Sequence, residues 1–210
     1  MKGEQIIRET LINNTISVVA EGGFAKATTK AITYSGVTPP GIKMNEIYIY
    51  RLFGSKEHVY EVAFETLDRE FIDALCADIK QIGSFDEDTK SKLYELFLKV
   101  WEFVLRNEDR CRYYIRYYYS AYFRGSSLDG HNAHFRDIIE EFDHLFKAEA
   151  DVKSIMHSVF TTMLDFAVRV YNGDLEDNEE NRSHVFNVIY CTMCSYFKDQ
   201  YKADSSAVIQ

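Results

Sequence analysis

Proline is almost missing from this chain of 210 residues: Pro39 and Pro40 stand side by side and no others occur. Proline removes a backbone donor and breaks helix interiors, so its confinement to one spot leaves the remainder open to long, uninterrupted helices. No apolar run approaches the ~20 residues needed to span a bilayer, which argues against membrane insertion. No leader precedes the amphipathic segment that follows Met1-Lys2-Gly3-Glu4, so a cytoplasmic protein is expected. Cysteine is sparse, and Cys76, Cys111, Cys191 and Cys194 are expected as reduced thiols. Cys191 and Cys194 have CxxC spacing but lie in an apolar helical stretch. They read as a buried pair, since zinc would need two more ligands close by. A glycine-rich phosphate loop, a GxSxG elbow and an HExxH pair are all absent, so no catalytic residue, cofactor or metal site is expected. His131 and His134 form an i, i+3 pair that reads as a solvated or capping feature of a helix start.

Apolar residues make up 46% of the chain and aromatics 15%, ample for a packed core. The net charge of −9 is unevenly spread. Residues 1–56 hold seven Lys/Arg against four acids, a net of +3, which leaves −12 on the rest. A positive end on an acidic body suits one surface meeting phosphate while the remainder stays soluble.

Apolar spacing predicts helices throughout and no strands. The first spans 4–21, with Ile7, Leu11, Thr15, Val18 and Val19 on one face, and Gly22-Gly23 ends it. Thr28 or Thr29 caps a short second helix, Lys30 to about Ser35. Gly36 turns the chain, and Thr38-Pro39-Pro40-Gly41 cannot be helical throughout. A third helix runs from about Lys43 or Asn45 to Leu52, and Ser55 caps a fourth over 56–82, a rod of roughly 40 Å. Ser84-Phe85-Asp86-Glu87 fits a capping box for a fifth over 86–106. The sixth is expected over 107–123, a loop over 124–130, and further helices over 131–148, 152–172 and 178–201, with 203–210 frayed. The reading is therefore all-α: a three-helix helix-turn-helix domain over 1–56, then a helical domain over 57–210, about nine helices in all.

Two short helices joined by a turn can present the second to the DNA major groove, with the first helix as support. Hydroxyls, cations and helix N-termini around the reading helix supply phosphate contacts. Thr28, Thr29, Tyr48, Tyr50, Arg51 and Lys56 fit that role. Lys43 and Asn45 could reach base edges, since lysine donates to guanine and asparagine pairs with adenine.

The order of these features resembles the tetracycline-repressor (TetR) family of transcription regulators over residues 7–60. The matching motifs are Gly23-Phe24, Thr29, the Gly36-Val37-Thr38 turn, Tyr48-Ile49-Tyr50-Arg51-Leu52-Phe53 and Ser55-Lys56-Glu57. The resemblance implies phosphate-contacting roles for Thr29, Tyr50, Arg51 and Lys56, and adds Thr38 to the DNA-binding set. Two departures stand out. An insertion near Pro39–Met44 separates the turn from the tyrosine helix, and Asn14-Thr15 stand where small apolar residues are usual.

The last two helices are apolar on more than one face, so each must bury a second side. A four-helix homodimer interface would do so, built from Val159, Phe160, Met163, Val170, Phe186, Ile189, Tyr190, Met193 and Phe197. The resemblance implies the same. The sixth helix carries tyrosines in nearly every direction. Tyr113, Tyr114, Tyr117, Tyr118 and Tyr122, with Trp101, are expected to line a pocket for a flat, aromatic or cationic effector. The resulting expectation is a ligand-responsive, DNA-binding repressor that is not an enzyme. It would bind a pseudo-palindromic site in double-stranded DNA as a homodimer and be released by a small-molecule effector. The alternatives are a helical protein-interaction adaptor with a degenerate head and a metal-dependent helical enzyme using His131 and His134.

Overall fold

The computed structural model describes residues 2–36, 40–82, 84–85 and 88–202, without the side chain of Lys2. The described residues form nine α-helices and no named strand. The helices are α1 (Lys2–Gly22), α2 (Thr29–Tyr34), α3 (Ile47–Phe53), α4 (Lys56–Ile82), α5 (Thr89–Arg106), α6 (Glu108–Tyr118), α7 (Ser126–Asp143), α8 (Val152–Tyr171) and α9 (Glu179–Cys194). Thr38 and Pro39, the capping-box residues Asp86 and Glu87, and the tail 203–210 lie outside the described residues. No helix among those described is long and apolar enough to cross a membrane.

The chain packs as two compact units, Met1–Phe71 with Asn107–Ala133, and Ile72–Arg106 with His134–Gln210. The first unit therefore extends past the division expected at residue 56, because α6 lies against α1 and the first half of α4 joins the same core. α1 contributes Leu11, Ile16 and Val19 to that core, α2 Ile32, α3 Ile49 and Phe53, and α4 Val59, Tyr60 and Phe64. Gly54 ends α3 at φ 78° with its N–H on the Tyr50 carbonyl (2.9 Å), a left-handed conformation that favours glycine. Ser55 Oγ then accepts the His58 N–H (3.1 Å) and opens α4, as its capping role predicts.

Asn14, in place of a small apolar residue, is buried and donates from Nδ2 to the Ile32 carbonyl (2.8 Å) near the end of α2. Its Oδ1 fills the space beside Gly36, where an added Cβ would stand 1.9 Å away. The side-chain amide thus satisfies an α2 carbonyl that has no partner of its own at a helix end, and only glycine leaves it room.

In the second unit α5 packs on α8 and α9, which also pack on each other. The inner stripe of α5 is Leu93, Leu96, Phe97, Val100, Trp101 and Val104, as 3.6-residue spacing requires. α9 ends at Cys194 rather than near 201. The chain turns there, and its backbone pairs with 145–147: Lys147 N–H donates to Tyr196 O and Lys198 N–H to Leu145 O, both at 2.9 Å. This isolated bridge joins Phe146 and Phe197. α6 stops at Tyr118 instead of 123, because Ser120 Oγ bonds to the Tyr117 carbonyl (2.7 Å) and to Tyr122 N–H (3.1 Å), an alternative to continued helix. α7 begins at Ser126, inside the expected loop.

Candidate nucleic-acid interface

α3 is seven residues long, and its two edges differ. Ile49 and Phe53 point into the core, while Ile47 and Tyr50 are 62% and 56% exposed. Arg51 is exposed beside them. Ile47, Tyr50 and Arg51 follow i, i+3, i+4 spacing and so share one face. Ile47 was not singled out from sequence, although its position one turn before Tyr50 placed it there.

Lys43 and Asn45 do not lie on the helix. Both are exposed in the segment before it. Asn45 Oδ1 accepts the Ile47 N–H (3.0 Å) and so satisfies one donor at the start of α3. The helix is shorter than expected because this side chain, and not a further helical turn, takes that donor. At the neighbouring helix end, Thr28 caps α2 by accepting the Ala31 N–H (3.1 Å), which leaves its own hydroxyl proton to donate. Thr29 Oγ1 instead donates to Glu46 Oε2 (2.6 Å) and ties α2 to the residue preceding α3.

The cations are partly engaged. The Arg51 guanidinium pairs with Glu4 (3.0 Å) and lies 4.6 Å from the centroid of the half-buried Tyr48 ring. Lys56 Nζ sits 5.7 Å from the Tyr60 ring centroid. Arg8, counted among the basic residues of this end, turns inward. It donates to the Leu52 carbonyl (3.1 Å) and stacks 4.5 Å over Phe53. The cationic surface is therefore smaller than the charge count implied, and Glu4 and Glu46, two of the four acids in that count, lie within it.

The tyrosines proposed as an effector pocket have a different arrangement. Tyr113, Tyr114 and Tyr117 are buried in the first unit. Their hydroxyls bond to the Tyr60 carbonyl (2.7 Å), to Asp68 (2.9 Å) and to Ser127 (2.8 Å) respectively. The correction has a simple cause: a buried hydroxyl must find a partner, and here the partners are protein groups. Tyr118 and Tyr122 stay half-buried, against Phe123 and against Phe24 and Tyr60. Trp101 belongs to the second unit, where its indole N–H donates to Asp177 (2.9 Å) and its ring stacks on Phe97. His131, expected in solvent, is buried in the first unit.

Burial raises the Tyr113 and Tyr114 hydroxyl pKa values well above the usual 10, with the Asp68 carboxylate adding to the rise at Tyr114. A raised folded-state pKa gives stability that is complete below the unfolded value and lost as pH rises through the folded one. Stability should therefore fall above pH ~10, by about 1.4 kcal/mol per pH unit for each such tyrosine. In an alkaline titration followed by tyrosinate absorbance, part of the signal should appear only as helical circular dichroism collapses. Smooth ionisation of all 15 tyrosines with helices intact would refute the packing described.

The proposed pairing residues are also redistributed. Phe160, Met163, Phe186, Ile189, Tyr190, Met193 and Phe197 are buried within the single chain, whereas Val159 and Val170 are half-exposed. The apolar width of α8 and α9 is used mostly against α5 and against each other. The partially exposed edge carries Val159, Phe166 and Val170 on α8 and His184, Val188 and Cys191 on α9, with the Phe166 and His184 rings 6.2 Å apart. Cys191 is thus exposed rather than buried, while Cys194 is half-buried and burial pushes its thiol pKa up. Among the described residues no group of three or more His, Cys, Asp or Glu side chains is placed to hold a metal ion.

No family model and no curated protein matches the sequence. Solved structures do resemble the fold. A TetR family transcription regulator from Marinobacter aquaeolei VT8 superposes with a TM-score of 0.74 at 17% identity, covering 91% of this chain and 98% of that one. A protein from Shewanella sp. PV-4 assigned to the tetR family gives 0.69 at 18% identity, covering 88% and 96%. The transcriptional regulator FadR from Bacillus subtilis, solved in complex with stearoyl-CoA, gives 0.59 at 18% identity, covering 86% and 96%. At these identities the likeness defines architecture: the chain has the all-α fold of the TetR-family transcription regulators.

Proposed function

We propose that this chain is a DNA-binding transcription regulator of the TetR type, acting as a repressor in the cytoplasm. The observation that carries the reading is α3, a helix whose inner edge is core and whose outer edge offers Ile47, Tyr50 and Arg51. A helix so presented fits the major groove. Ile47 approaches base edges, with Lys43 and Asn45 entering from the preceding segment, and Tyr50 reaches the phosphate backbone from the same face. Arg51, Lys56, Thr28, Thr29 and Tyr48 take phosphates, and the DNA-contacting role that the resemblance gives Thr38 is carried over unchanged. In this reading residues 1–56 read DNA, although they share a compact unit with the first half of α4 and with 107–133, and the rest of 57–210 senses and pairs.

Two copies pair through the edge formed by Val159, Phe166, Val170 and Val188, so that two α3 helices meet half-sites about 34 Å apart on a pseudo-palindrome. A small hydrophobic, aromatic or cationic effector binds the helical domain. The acyl-CoA complex of the Bacillus subtilis protein supports a small-molecule effector for this fold. Such a ligand acts only by favouring one arrangement of the heads over another. α4, which begins at Lys56 and contributes to both compact units, transmits the difference. A hundredfold fall in DNA affinity needs about 2.7 kcal/mol of coupling.

DNA binding measured across salt tests the reading. Affinity should fall steeply between low and moderate salt. Arg51→Ala and Lys56→Ala should each weaken binding by roughly tenfold on every sequence and lower the salt slope by about one. Glu4→Gln, which frees Arg51, should raise affinity a few-fold, in line with the small worth of an exposed ion pair. Salt-independent behaviour at micromolar protein, or unchanged affinity in both alanine variants, would favour the adaptor reading.

A further inference from the structure

A cleft of about 540 Å³ opens in the first unit between α1, α4 and the start of α6. It is separate from the outer face of α3 and from the buried tyrosines. Its size is within the range of small-molecule sites. Ile12 and Val62 give it apolar surface, and the rest of its lining is polar or charged.

Much of that polar lining is already engaged. Arg110 pairs with Glu70, Gln5 donates to Glu9 (2.8 Å), and the Thr66 hydroxyl donates to the Val62 carbonyl (2.7 Å). Three groups at the cleft have no hydrogen bond or ion pair among the described residues: the exposed Asn13 amide and Arg69 guanidinium, open to an incoming ligand, and the half-buried Glu65 carboxylate. Glu65 and Arg69 are one turn apart on α4, yet no ion pair joins them. An anion site would not keep a free carboxylate beside the guanidinium, and a cation site would not keep the guanidinium. A molecule carrying both charges satisfies each.

We infer that this cleft binds a zwitterionic α-amino acid with an apolar side chain. The ligand carboxylate sits on Arg69, in the two-pronged geometry that guanidinium and carboxylate share. Its ammonium sits on Glu65, Asn13 bonds to whichever polar edge remains, and the side chain covers Ile12 and Val62. The cleft also touches the reading helix through one residue. Arg8 lines it and at the same time donates to the Leu52 carbonyl, near the end of α3. The α1 wall of the cleft thus stands one side chain away from α3.

The test is calorimetric titration of the full chain with L-leucine and L-phenylalanine, and with leucinamide and N-acetyl-leucine as controls lacking one charge each. Saturable binding of the free amino acids is expected, with each control about tenfold weaker. Arg69→Gln should lose about tenfold for leucine and bind leucinamide no worse than the unaltered chain does. Glu65→Gln should do the same for N-acetyl-leucine. Neither side chain has a hydrogen bond or ion pair among the described residues, so neither change should disturb folding. Absence of saturable binding for both amino acids, or equal affinity in both variants, overturns the inference. These measurements need no DNA, so their outcome is independent of the regulatory reading.

Discussion

A Val188→Asp chain is expected to stay folded and, where the proposed homodimer forms in the unaltered chain, to run as a single subunit in sedimentation with a loss of at least about a hundredfold in dimer affinity. Val188 is 37% exposed on α9, one turn after His184, whose ring lies 6.2 Å from that of Phe166. Within the isolated chain a carboxylate there meets water and costs little. In a two-fold interface the same residue comes from both copies, so two carboxylates would be desolvated in one patch without partners, a loss on the scale of interface hot spots. The adjacent residue gives the contrast. Ile189 is 4% exposed, and Ile189→Asp places an unpaired charge in the chain's own core, where unfolding costs less than burial. If Val188→Asp pairs like the unaltered chain, this edge is not the interface and the dimer of the proposed function must use another surface.

The second large effect concerns His131. His131→Ala should destabilise the chain by about 3–5 kcal/mol, read from the urea midpoint at unchanged slope. Asp68 and His131 are 1% and 7% exposed, with Nδ1 2.9 Å from Oδ1. The Tyr114 hydroxyl donates to the same carboxylate oxygen (2.9 Å). The imidazole also packs against the rings of Tyr118, Phe123 and Phe64. Alanine removes a hydrogen-bonding partner from a buried carboxylate and opens a cavity among aromatic rings, and both effects are costly in a packed interior. Tyr114→Phe, which removes one hydroxyl and no volume from the ring, should cost only about 1–2 kcal/mol. A loss below about 1 kcal/mol for His131→Ala would show that the carboxylate is well served without it. Because Asp68 lies on α4 and His131 on α7, the contact also fixes the helix through which effector binding is proposed to act.

Legibility in the sequence followed the range of the interactions involved. The bounds of α4 and α8 are legible to within a residue because caps and apolar spacing are local signals: Ser55 reads as the cap of α4 and accepts the His58 N–H, while α8 is bounded by apolar spacing and its Asp151 cap appears only in the structure. The end of α9 was missed because its cause is distant. The backbone of 196–198 pairs with that of 145–147, and nothing near Cys194 announces a stop. The start of α7 was missed because a run of glycine and serine reads as a loop, while Gly125 at φ 57° supplies the carbonyl that receives the Asp129 N–H. For the site, the outward edge of α3 was readable in part, since Ile49 and Phe53 had to face the core. The partners of its side chains were not. No pattern in the chain indicates that Glu4 lies beside Arg51, 47 positions away. The pairing face failed for a related reason. Periodicity shows that α8 and α9 have two apolar faces, but not which one the chain keeps for itself.

The pairing of Glu4 with Arg51 has an evolutionary consequence. A carboxylate on α1 restrains a cation on α3 without touching any group that could read a base. Substitution at position 4 would alter how tightly every site is held and leave the ranking of sites unchanged. Under the proposed function, overall occupancy and sequence preference are thus encoded at separate places, and selection could adjust the first while leaving the second alone.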